Sequence, residues 1–152
     1  MVEKQKSAGA IIYYLDEKHK PEFLLLQNTL KKTYWEFPKG KIEGNEDIEK
    51  TVKREVEEET GLRDISIIHG FKHVLKWFYQ FEGKTIFKEA VYLLAKIKRE
   101  NKKYVKINCE HEKFEWMPYE KAIKEMTIKS NREMLKEADK FILKVERQRR
   151  LF

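Results

Sequence analysis

Residues 54–61 read REVEEETG, which places four carboxylates, Glu55, Glu57, Glu58 and Glu59, within five positions of a basic chain. On a helix, like charges four apart repel, so Glu55 and Glu59 weaken the element that carries them unless positive charge sits between them. At about 100° per residue, Glu58 and Glu59 fall within about 60° of Glu55, and Glu57 falls on the opposite side. Val52 and Val56 border the three-carboxylate face, so these side chains flank a buried stripe. Carboxylates crowded against apolar surface have raised pKa values unless a cation compensates them. A hard divalent cation seeks such oxygens, and Mg²⁺ takes one or two carboxylates together with phosphates and water. Just upstream, Lys39 and Lys41 flank Gly40, a position where backbone can approach an ion or phosphate closely. Arg54 and Glu58 stand i,i+4, where the arginine can orient the cluster or form an ordinary surface pair. Two readings of the residues stand here: a metal site facing an anionic phosphate substrate, and a solvated acidic face.

The elements that must position these groups follow from patterning. SAGAIIYYL (7–15) and EFLLLQ (22–27) read as buried strands joined by a polar turn. TYWEFPKGKIEGNED (33–47) reads as a loop marked by Pro38, Gly40 and Gly44. Residues 48–60 read as a helix with Ile48, Val52 and Val56 on one stripe, stopped by Gly61. Residues 65–81 and 85–97 form a long hairpin about the turn at 82–84. Shorter strands are expected at 104–107 and 113–117. Pro118 suits the start of a helix reaching about Met126. Ser130 and Glu133 make a capping box that opens a last helix. Its apolar face is Met134, Leu135, Ala138, Phe141, Ile142 and Val145. Strands, helix, strands, helices in that order predict an α+β fold: one domain over 1–152, a mixed central sheet packed between helices in an α/β/α sandwich.

The 152 residues carry a net charge of +7 with a pI near 9.3, and 41% are apolar and 12% aromatic, which suffices for a core. No apolar run approaches a membrane span, and the first ten residues lack the apolar stretch of a signal peptide. The single cysteine, Cys109, excludes an intrachain disulfide and fits a reducing cytoplasm. The positive balance favours polyanionic partners such as nucleotides. An RNA partner has no support beyond that charge, and the oligomeric state is not legible.

The spacing Gly40, five residues, Glu46, seven residues, then Arg54-Glu55-Val56-Glu57-Glu58-Glu59-Thr60-Gly61-Leu62 resembles the Nudix box at every specified position. YWEFPKGKIEGNE, SAGAIIY with FLLLQ, and EHEKFEWM are similar to the branch of that family that hydrolyses diadenosine tetraphosphate asymmetrically. The resemblance runs from about residue 7 to about residue 142. It implies a hydrolase that attacks a phosphoanhydride with water, using Mg²⁺ or, alternatively, Mn²⁺. It further implies that Glu55, Glu58 and Glu59 are metal ligands with the Gly40 carbonyl. Glu55 is the first choice to assist the attacking water, with Glu58 the alternative, and Arg54 orients the cluster. Glu110, six residues before Trp116, matches a further acidic ligand or base. Lys39 and Lys88 match phosphate contacts. Phe114 stands where the branch usually has tyrosine, Tyr79 is a second candidate for stacking on a base, and Tyr34 replaces a histidine. For both Tyr79 and Phe114 ordinary strand packing is the alternative. Rival readings are a nucleoside triphosphate pyrophosphatase, an RNA 5′-end pyrophosphohydrolase and a non-catalytic nucleotide-binding module.

Overall fold

A computed structural model describes residues 2–30 and 34–151; Thr33, the first residue of the expected loop, lies outside them. The strands are β1 (Val2–Leu15), β2 (Pro21–Asn28), β3 (Trp35–Glu36), β4 (Lys39–Lys41), β5 (Ser66–Ile67), β6 (His73–Phe81), β7 (Lys84–Lys96) and β8 (His111–Pro118). The helices are α1 (Ile48–Thr60), α2 (Tyr119–Glu125) and α3 (Lys129–Leu151), with a 3₁₀ turn at Arg99–Tyr104. No described helix is long and apolar enough to cross a membrane.

The sheet is mixed. β1 runs parallel to β7 from Val2↔Thr85 to Tyr13↔Lys96. Two antiparallel strands share its other side: β4 pairs at Ser7–Gly9, and β2 pairs at Tyr13–Leu15. β8 lies along β2, and β6 and β5 along β7. Successive β1 side chains alternate between two faces, and both faces are covered, so the strand reads as an unbroken apolar run. Ala8, Ala10, Ile12 and Tyr14 join Leu24, Leu26, Val52 and Val56 beneath α1. Ile11 and Tyr13 join Phe23, Leu25, Tyr92 and Leu94 beneath Met134, Leu135, Ala138 and Ile142 of α3. The result is the expected α/β/α sandwich. Val52 and Val56 are fully buried, each contributing about 1.5–3 kcal/mol to holding α1 on the sheet.

Several boundaries differ from those read in the sequence. The first strand begins at Val2, because its polar residues 3–6 pair along β7. Two short strands, β3 and β4, interrupt the expected loop. The first arm of the hairpin divides into β5 and β6. No strand forms at 104–107: the Lys106 amide donates to the Thr60 carbonyl, 2.7 Å away at the end of α1, instead of to a neighbouring strand. α3 starts one residue before Ser130, which therefore lies inside the first turn and does not cap it.

Candidate active site

α1 occupies the expected residues 48–60. The Asp47 side chain caps it by accepting from the Lys50 amide at 2.8 Å. Gly61, at φ 76°, closes it in the left-handed conformation, its amide donating to the Glu57 carbonyl. β4, paired with β1 in the sheet, packs against this helix. A Cβ added at Gly40 would fall onto the Glu55 carboxylate, so only glycine lets Glu55 rest against the β4 backbone.

Arg54 holds that arrangement. Its Nε and Nη2 donate to the two oxygens of Glu46 at 2.8 and 2.9 Å, a forked charged pair. Nη1 donates to Glu55 Oε1 at 2.7 Å, and Nη2 reaches the Lys41 carbonyl at 2.8 Å. The expected Arg54–Glu58 contact is longer, 3.4 Å, with Glu58 half exposed. Glu46 is thus the main partner of Arg54. It also accepts from the Glu43 amide and the Thr51 hydroxyl. The Arg54 hydrogen bonds, foremost, hold its pKa down at about 2.

Glu59 is 3% exposed. Burial, then the charges of Glu110 and Glu55, push its pKa up to about 9, with the Lys39 amide opposing. Its Oε2 has no hydrogen-bond partner. Ligand atoms of Glu59, Glu110 and His111 lie within 4.8 Å of one another. Glu110 reaches this point from an exposed turn in which its amide donates to Asn108 Oδ1. Glu57 faces solvent and pairs with Arg63 at 2.8 Å. Two unpartnered buried polar atoms, Glu59 Oε2 and His111 Nδ1, beside further carboxylates form a donor set that fits a divalent cation.

Three amines, those of Lys39, Lys41 and Lys88, lie along β4 and β7. Lys88 on β7 has its pKa lowered by burial and then by the charges of Lys39 and Lys41, so the three cations converge on one region. Lys88 Nζ sits 5.8 Å over the ring of Trp77, its cross-strand partner. Alongside lies a cavity of about 380 Å³ walled by Lys39, Leu75, Trp77, Tyr92, Ser130 and Asn131.

The expected aromatic contacts separate. Tyr79 follows Leu75 and Trp77 on one face of β6, and its hydroxyl donates to Gln5 Oε1 at 3.2 Å. Phe114 stands opposite Leu26, on the face covered by α1. The sheet therefore lies between Tyr79 and Phe114. Tyr34 is half-buried, and its carbonyl accepts from the Asn28 amide. Sequence reasoning missed Glu46 as the anchor of Arg54, Trp77 as the cavity wall and His111 as a buried member of the cluster. Counting back from the hairpin turn would have set Trp77 opposite Lys88.

Residues 4–138 match the NUDIX domain. The mouse bis(5′-nucleosyl)-tetraphosphatase (asymmetrical) is 32% identical over 123 residues, covering 80% of each chain. The Caenorhabditis elegans enzyme of the same name is 36% identical over 120 residues, covering 78% of this chain and 83% of that one. The crystal structure of a C. elegans Ap4A hydrolase binary complex superposes with a TM-score of 0.77 at 31% identity, covering 91% of this chain and 98% of that one.

Proposed function

The chain belongs to the Nudix family and is a hydrolase of phosphoanhydride bonds, and from this premise we propose that it splits diadenosine tetraphosphate asymmetrically, with water, into ATP and AMP. The observation that carries this reading is the juxtaposition of an acidic cluster with three amines and an aromatic cavity. Glu55 rests against Gly40, Glu59 feels the charges of Glu110 and Glu55, and Lys88 feels those of Lys39 and Lys41. Trp77 walls a space for a purine ring beyond them. A polyphosphate chain needs cations along its length and a flat apolar surface at its end.

Glu55, Glu58, Glu59 and Glu110, with the Gly40 carbonyl, would hold Mg²⁺, with Mn²⁺ the alternative. When bound, the cation supplies Lewis acidity to the phosphate and lowers the pKa of water. In this reading Glu55 accepts the proton of the attacking water, and Glu58, exposed and less constrained, is the second candidate. Arg54 holds Glu55 in one orientation by a 2.7 Å hydrogen bond. Lys39 and Lys88 bind phosphate oxygens, and Lys88's burial strengthens that contact by lowering the local dielectric. The water oxygen bonds to phosphorus as the anhydride oxygen departs with the other nucleotide. The exposed free thiol of Cys109 suits the reducing cytoplasm in which we place the enzyme.

The test is one panel with Mg²⁺: diadenosine tetraphosphate, nucleoside triphosphates and triphosphorylated RNA, with products resolved by chromatography. ATP plus AMP from the first substrate, at a rate well above the others, is expected. Equal rates on all three would overturn the substrate assignment and leave the hydrolase standing.

A further inference from the structure

His111 is buried beside the carboxylates, its side chain 1% exposed, with Nε2 2.8 Å from Glu36 Oε2. In the tautomer that donates from Nε2 to Glu36, Nδ1 presents a lone pair. That lone pair meets Glu59 Oε1 at 3.8 Å, too far for a hydrogen bond. Nδ1 has no hydrogen-bond partner, and neither has Glu59 Oε2. Nδ1 and the Glu59 carboxyl group thus face one another across a gap that no hydrogen bond within the protein closes. Two donors each about 2.1 Å from one shared ion can lie up to about 4.2 Å apart, and the observed separation falls inside that span. Glu36 behind the ring completes the carboxylate–histidine arrangement that fixes a ligating imidazole.

We propose that His111 Nδ1 is a nitrogen ligand of the divalent cation alongside Glu59 and Glu110, and that it biases the site toward Mn²⁺ and Co²⁺ over Mg²⁺. The proposal rests on the hydrolase reading for the presence of a cation. Imidazole suits transition-metal ions, whereas Mg²⁺ prefers oxygen.

Pulsed EPR of the Mn²⁺-loaded protein reads the bond directly. Nitrogen modulation from a coordinated imidazole is expected in the native chain and is lost in His111→Gln, whose amide can still donate to Glu36. A His73→Gln control keeps the modulation, because His73 is engaged with Glu137 at 2.7 Å on the α3 side. By titration calorimetry, His111→Gln weakens Co²⁺ binding at least tenfold and Mg²⁺ binding less than threefold. A native spectrum without nitrogen coupling overturns the proposal whether or not the variant folds, and so does an equal loss for both cations. Oxygen-only coordination with hydrolysis intact sinks this proposal alone. Hydrolysis that needs no added divalent cation and survives chelation sinks both this and the metal reading of the site.

Discussion

Arg54 can orient Glu55 only because Glu46 fixes Arg54. The fork from Nε and Nη2 to the two Glu46 oxygens, 2.8 and 2.9 Å long, fixes the guanidinium plane and so aims Nη1 at Glu55. Glu46 itself is tied to the Glu43 amide and the Thr51 hydroxyl, which locks the loop to the helix. Replacing Glu46 by glutamine keeps the size but exchanges a charged fork for one neutral acceptor, roughly halving each bond's strength. The Glu46→Gln variant is therefore expected to lose about 10- to 100-fold in kcat, with KM for the dinucleotide changed less than threefold. Far-ultraviolet circular dichroism should stay native. An unchanged kcat would show that Arg54 needs no anchor, and a change confined to KM would move Glu46 to substrate binding.

At the scale of elements, α2 and α3 meet through a carboxylate that does not suit its place. Burial, then the charge of Glu120 on α2, push the Asp139 pKa up to about 6, with Lys20 opposing. The folded pKa lies above the unfolded value, so between about pH 4 and pH 6 the folded chain holds a proton that the unfolded chain has released. Stability from this group is therefore full below pH 4, falls as pH rises, and stays low above pH 6. Asp139→Asn removes the charge, so it should raise the melting temperature at pH 7 by a few degrees and leave it unchanged near pH 3.5. Equal shifts at both pH values would assign the effect to packing. The same helices show what local pattern conveys. α1 was legible to the residue because its stripe and glycine stop are neighbours in sequence, and with it Arg54, Glu55, Glu58 and Glu59 were legible as one group. His111 was not. A register shift in the β2–β8 pairing between Gln27 and Asn28 accompanies its inward turn, and the bonding of distant strands is not written in spacing along one of them. The strand expected at 104–107 failed for the same reason, its Lys106 amide being taken by the end of α1.

Across the whole molecule the sheet divides two tasks. The carboxylates reach the site from α1 and the turn before β8, while Lys88, Trp77, Tyr79 and the cavity belong to the face covered by α3. β1 makes this possible by pairing β4 along one half and β2 along the other, so that Lys39 and Gly40 sit where both layers are reached. On the proposed reading, a substrate with a charged middle and a flat end lies across that division, its phosphates by β4 and a base against Trp77. Phe114, on the α1 face opposite Leu26, is on the far side of the sheet from the cavity. Trp77→Ala is therefore expected to raise KM for diadenosine tetraphosphate about tenfold or more, since stacking a base on an aromatic ring contributes about 1–3 kcal/mol, while kcat holds within about threefold. Phe114→Ala should leave KM within about twofold. Steady-state kinetics on the two variants decides which face receives the base. A large KM effect at Phe114 with none at Trp77 would move the base to the α1 side and leave the cavity beside α3 without a role in the reaction.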